Sequence, residues 1–199
     1  MSEPETKTKP RRQGPKRSET SKAAILEATR EEMIENGWRG FSVDGVARRG
    51  RASKQTIYRW WPSIGAMCVD AAIALIPDAP GGVRDPVERI TALILPIEAA
   101  ARIGSGHYVL RTALLAAIDD EDAGEKWRSW QQDQIRAPLR MVLAELAAKH
   151  VIRRDWDIDD ALETLIGPLW HRLLISRGPL KEGYSLALAT RMLAAFADE

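Results

Sequence analysis

The stretch "SKQTIYRWW", Ser53 to Trp61, sets two cations, an amide, a phenol and two indoles within about two and a half turns of helix. Lys54, Gln55, Tyr58 and Arg59 all donate hydrogen bonds at neutral pH, and donors crowded together suit a partner rich in acceptors and negative charge. Tryptophan suits a core instead. Helical spacing sorts the stretch. Ile57 and Trp61 lie four apart and face inward with Phe41 and Val46, while Lys54, Gln55, Tyr58 and Arg59 take the opposite side. Trp60 fits either a packed surface position or the gripping face. Arg48 and Arg49, just upstream, read equally as a solvated face or as phosphate contacts.

Other reactive residues are sparse. His107, His150 and His171 form no H-x-x-x-H pair, "GSG" at Gly104 to Gly106 is too short for a phosphate loop, and no serine sits in a nucleophile elbow. Neither catalysis, a metal nor a cofactor is expected. Cys68 is the only cysteine, so there is no disulfide framework; it reads first as a small buried residue and second as a redox switch. No run of roughly 18 apolar residues occurs, because Asp70, Glu98 and Arg172 interrupt the best candidates, and a cytoplasmic chain without a membrane partner is expected.

The elements that must hold the nine residues follow from start and stop signals. Residues 1–18 are rich in Pro, Gly, Ser, Lys and Arg with Met1 as the sole apolar side chain, which predicts a flexible basic arm. A helix is expected from Glu19 to Asn36, with Ile25, Leu26, Thr29, Met33 and Ile34 on one stripe and Gly37 as its C′ residue. Ser42 is of N-cap type and opens a short helix ending near Gly50; Ser53 caps the next, and Pro62 with Ser63 closes that one and caps a fourth, Ile64 to Ile76. Two short helices across the tight turn "RGRA", Arg49 to Ala52, form a helix-turn-helix, whose second helix offers its N-terminal residues to the major groove of DNA.

"PDAPGG", Pro77 to Gly82, marks a boundary. The expected division is a basic arm at 1–18, a helix-turn-helix domain at 19–76, a linker at 77–85 and a helical domain at 86–199. Helices are predicted at Pro86 to Ile103, Gly106 to Ile118, Glu121 to His150, Ile158 to Ser176 and Gly183 to Ala197, with kinks at Pro96, Pro138 and Pro168. Sustained two-residue alternation is missing, so the fold class is all-α. The charge is uneven: residues 1–61 carry 14 Lys+Arg against 8 Asp+Glu, net +6, which leaves 15 against 20, net −5, beyond them. A polyanion partner is expected for the front alone.

The block "NGWRGFSVDGVARRGRASKQTIYRWWPS" resembles the N-terminal region of the TetR family of bacterial transcriptional repressors: a Gly-aromatic loop, a Ser/Thr opening a short helix, then Ser-Lys-x-Thr-aliphatic-Tyr-x-aromatic-aromatic-Pro-Ser. The resemblance covers about Glu19 to Ala72, and "IGPLWHRLLISRGPL" resembles the family's dimerisation region more weakly. It implies that Lys54, Gln55 and Trp60 meet bases or the adjacent backbone and that Ser42, Thr56 and Tyr58 bond phosphates, with Arg51, Ser53 and Arg59 beside them. Arg11, Arg12, Lys16 and Arg17 of the arm would approach the duplex backbone or minor groove. Two positions depart from the pattern. Ile64 stands where the family usually has a phosphate-binding Lys, leaving Ser63 and helix N-terminal amides to substitute. Arg51 follows Gly50 where the family usually has Gly, so the positive φ either moves to Gly50 or strains Arg51 by about 1–2 kcal/mol.

The resemblance further implies that the second half dimerises and encloses a small-molecule cavity. Leu93, His107, Trp127, Trp130 and Trp170 are the candidate lining, although aromatics at helical spacing equally serve a core, and an apolar effector suits the local composition. Leu162, Leu165, Leu169, Leu173, Leu188, Met192 and Phe196 are expected to pair across a two-fold axis as a four-helix bundle. The function expected is a repressor binding palindromic double-stranded DNA as a homodimer and released by a small molecule. The alternative is a helical interaction protein whose basic front contacts a protein or membrane.

Overall fold

The computed structural model describes residues 15–197, with side chains from residue 19 onward. Among the described residues the chain forms ten α-helices and no strand; one isolated bridge joins Ile152 to Ala197. The all-α class is confirmed.

Helix α1, Pro15–Asn36, begins four residues before the expected Glu19, with a proline in the first turn where its missing N–H costs nothing. It ends as Gly37 turns to φ +60 and its N–H bonds the Met33 carbonyl at 3.1 Å. Three serine caps then start three helices. Ser42 Oγ accepts from Gly45 N ahead of α2, Val43–Arg49; Ser53 Oγ from Thr56 N ahead of α3, Lys54–Trp60; Ser63 Oγ from Ala66 N ahead of α4, Ile64–Ile73. The fourth helix stops short of the expected Ile76.

Asp85, Asp120 and Asp157 cap α5 (Pro86–Arg102), α7 (Glu121–Gln131) and α9 (Ile158–Trp170). Between them α6 spans Gly106–Asp119 without a side-chain cap. The prolines shape the long helices differently from one another. Pro96 lies inside α5, whereas a π turn, Gln132–Arg136, precedes Pro138 at the start of α8 (Ala137–Ala148), and another, His171–Ile175, follows Pro168 in α9. The last helix, α10, is Tyr184–Phe196.

Two apolar clusters result. The smaller joins Ile25, Ala28, Val43, Val46, Ile57, Trp61 and Met67, with Phe41 and Trp60 partly buried against it. The larger takes Met33 of α1, Cys68, Val69, Ala71 and Ala72 of α4, and the inner faces of α5 through α10. Helix α4 therefore serves both: Met67 faces one cluster while the residues after it face the other. Cys68 is fully buried and its thiol is pushed up by burial, which favours the packing reading over a redox one. Ile34, expected on the buried stripe of α1, is exposed.

Leu162, Leu165, Leu169, Leu173, Leu188, Met192 and Phe196 are all buried in the chain's own larger cluster. Helix α5 packs on α10, α10 on α9, and α6 on the π turn after α9, a second layer that periodicity in α9 and α10 does not reveal.

Candidate nucleic-acid interface

At about 100° per residue, Ile57 and Trp61 share one side of α3, Gln55 and Arg59 lie opposite, Tyr58 and Trp60 take the two flanks, and Lys54 stands at the border with α2 where the helix begins. The side chains follow this division. Ile57 and Trp61 are buried, Gln55, Tyr58 and Arg59 are exposed, and Tyr58 keeps 52% of its surface open. From its border Lys54 reaches back to α2, with Nζ 2.7 Å from Asp44 Oδ1. That hydrogen bond and charge hold the ammonium above its ordinary pKa.

Trp60 takes the other flank, partly buried. Its ring leans on the smaller cluster, its indole N–H is enclosed without a partner, and Lys22 Nζ of α1 sits 5.4 Å from the ring centroid. It braces α3 and holds a cation beside it. Thr56 and Ser53 share a hydroxyl contact of 2.9 Å at the start of the helix. Arg51 is exposed and takes the left-handed backbone at φ +48, whereas Gly50 stays at φ −76, so the turn places its positive φ on the arginine. Arg11 and Arg12 lie outside the described residues; Lys16 and Arg17 fall in the first turn of α1, with side chains outside the described set.

What orients α2 against α1 is Glu32, which sequence reading passed over. This carboxylate is 2% exposed; Oε1 accepts from Asn36 Nδ2 at 2.8 Å and Ser42 N at 3.2 Å, and Oε2 from the Arg49 guanidinium. Arg49 also bridges Glu35. It is thus committed inside the protein and is no free phosphate contact. Gly45 leaves the room required, since a Cβ there would stand 2.2 Å from Glu32 Oε2. An acid seven residues after buried Ile25 was the available signal.

The far end of α3 is fastened to the rest of the chain. Trp61 Nε1 donates to Asp70 Oδ2 at 2.7 Å, and Lys126 of α7 meets the other oxygen at 2.8 Å. Ser63 Oγ donates to Asp120 Oδ1 at 2.8 Å, and Trp38 Nε1 to Asp119 Oδ2 at 2.8 Å. Ser63 is therefore already engaged and does not replace the missing lysine at Ile64, which is half-buried between the clusters.

The candidate effector residues separate into two places. Trp127, Trp130 and Trp170 stack as one aromatic group, Trp127 standing 5.1 Å and 5.8 Å from the other two. Leu93 and Trp130 line a cavity of about 270 Å³ with Ile73, Ile76 and Ile97, which adjoins an open groove of about 520 Å³ between α4 and α7. Trp127 and Trp170 pack against the core behind it. His107 is elsewhere, on a cavity at the junction of α5 and α6.

Comparison with known proteins accords with this arrangement. A family model described as the Tetracyclin repressor-like C-terminal domain matches residues 89–192, and one described as bacterial regulatory proteins, tetR family, matches residues 25–75. The uncharacterized HTH-type transcriptional regulator YdeS of Bacillus subtilis is 28% identical over 87% of this chain and 88% of its own length. Among solved structures, the TetR family transcription regulator SCO0332 aligns with a TM-score of 0.60 at 27% identity, covering 89% of this chain and 99% of that one. The Streptomyces fradiae regulator TylP shares the fold with a TM-score of 0.64 at 15% identity, covering 92% and 89%. With a core-anchored helix-turn-helix in front and that C-terminal match spanning half of its length, the chain belongs to the TetR family of DNA-binding transcriptional regulators, which are not enzymes.

Proposed function

We propose that this regulator is a repressor that binds a palindromic operator as a homodimer and is released by a small molecule taken up beyond α4. Residues 19–76 act as the reading domain and 86–199 as the effector and dimer domain, with 77–85 between them. The observation that carries DNA reading is the outward face of α3: Gln55, Tyr58 and Arg59 stand free above a buried Ile57 and Trp61, in the half of the chain with net charge +6. Pairing is assigned to the outward side of the π turn after α9 and of α10, where Ile175 and Leu186 are 71% and 48% exposed, because the inner side is already covered. Release is supported by the bonds from Trp38 and Ser63 to the α6–α7 corner and by Asp70 of α4, which accepts from Trp61 and meets Lys126 of α7: a ligand in the groove between α4 and α7 presses on the same helix that closes the reading unit.

Two reading helices must match half-sites about 34–36 Å apart or a multiple of that. A small swing of α4 is therefore enough to spoil the fit. Operator sequences selected from a random DNA pool should be palindromic, and fluorescence anisotropy should show Lys54→Ala with Tyr58→Phe binding at least about tenfold more weakly, with the salt slope reduced by about one per lost phosphate contact. Unchanged affinity in the double variant overturns the assignment of the face. A compound that weakens operator binding tenfold must itself bind tenfold more weakly to the operator complex, a coupling of about 1.4 kcal/mol.

A further inference from the structure

The cavity bearing His107 differs in character from the groove beside α4. It holds about 450 Å³ between the end of α5, the start of α6 and the turn after α9, and its wall alternates two cations, Arg102 and Arg177, and the His107 imidazole with apolar surface from Ala101, Pro179 and Leu180. That volume lies within the range of small-molecule sites. More positive charge stands behind the wall. Arg111, one turn after His107, donates Nε to the Leu173 carbonyl at 2.9 Å and stacks on Tyr108, and Arg172 stacks on Tyr184.

Carboxylates balance only Arg102, which meets Glu182 at the rim at 3.0 Å and buried Glu98 at 3.8 Å, while the two oxygens of Glu98 accept from the amides of Gly183 and Ser185 at 3.0 and 2.7 Å. Among the described residues neither Arg111 nor Arg177 meets an acid, although residues 62–199 carry net −5. Burial first and Arg177 second lower the Arg111 pKa, and burial with Arg111 lowers that of His107. Arg177 also holds a left-handed backbone at φ +49, a conformation that glycine adopts without strain.

We propose that this cleft binds a small organic anion, its oxyanion head between Arg177 and His107, and its apolar body against Ala101, Pro179 and Leu180. This rests on reading residues 86–199 as an effector domain, but the site is a second one, apart from the groove between α4 and α7. It departs from an uncharged apolar ligand.

The test is calorimetry on the full-length protein with straight-chain carboxylates from hexanoate to dodecanoate, each against its matched alcohol. The best carboxylate should bind at least about tenfold tighter than its alcohol. Arg177→Gly, which suits the backbone and deletes the charge, should abolish that preference, and Arg177→Lys should keep most of it. The His107 ring, which faces Arg102, Tyr108, Arg111 and Arg177, should titrate at higher pH in the complex, followed by NMR, since an anion beside it favours the imidazolium. No binding, equal binding of acid and alcohol, or an unaffected Arg177→Gly overturns the site. Operator release is measured separately: tight carboxylate binding without release keeps the site and removes only the effector reading.

Discussion

Two buried glutamates hold the two ends of this molecule by different means. Glu32, in the reading unit, is satisfied mainly by side chains, Arg49 and Asn36, with one backbone amide from Ser42. Glu98, which is 1% exposed, accepts from the backbone amides of Gly183 and Ser185 and has Arg102 only at 3.8 Å. The first is a charge pair that sets the angle between helices; the second is a remote cap for the start of α10. A buried charge that depends on one opposite charge is fragile to the loss of that partner, whereas one held by backbone cannot lose its partners to a point substitution.

The largest effect should come from breaking the first arrangement. Arg49→Ala strands the Glu32 carboxylate, and urea unfolding should show a loss of about 3–5 kcal/mol. A loss below about 1 kcal/mol means that water reaches Glu32 and that the pair does not organise the reading unit. Glu98→Gln comes next: it keeps shape but discards charge, and since a hydrogen bond to a charged group contributes about 1.5–3 kcal/mol, that is the expected range of destabilisation, with hydrogen exchange accelerated at the start of α10. Exchange accelerated uniformly would show that Glu98 serves the whole core instead of one cap. The smallest effect belongs to Asp44→Asn. Freeing the exposed Lys54 from its tether should raise operator affinity by roughly two- to fivefold at low salt and leave stability unchanged. Weaker binding would show that Asp44 positions Lys54 for the base instead of competing for it.

What the sequence made legible was mostly local. Ser42, Ser53 and Ser63 announce their helices because a cap acts within three residues, and Gly37 announces an end for the same reason. Ile57 and Trp61 followed from the helical period alone. The reading failed where distant residues decide. Glu32 and Arg49 are 17 apart, Ser63 and Asp120 57 apart, and no period connects them. The apolar stripes of α9 and α10 are buried within the single chain, and periodicity shows that a face is buried and not what buries it. Trp60, on the flank of a seven-residue helix, is one the period alone assigns to neither side, and its ring is partly buried against the smaller cluster.

The space at Gly45 links positions that lie apart in sequence. A methyl there meets the Glu32 carboxylate, so alanine at 45 makes the acid swing aside and rearranges its bonds to Arg49, Asn36 and the Ser42 amide. Positions 32, 45 and 49 are thus coupled through one carboxylate, and a change at any of them is felt at the other two and in the angle between α1 and α2.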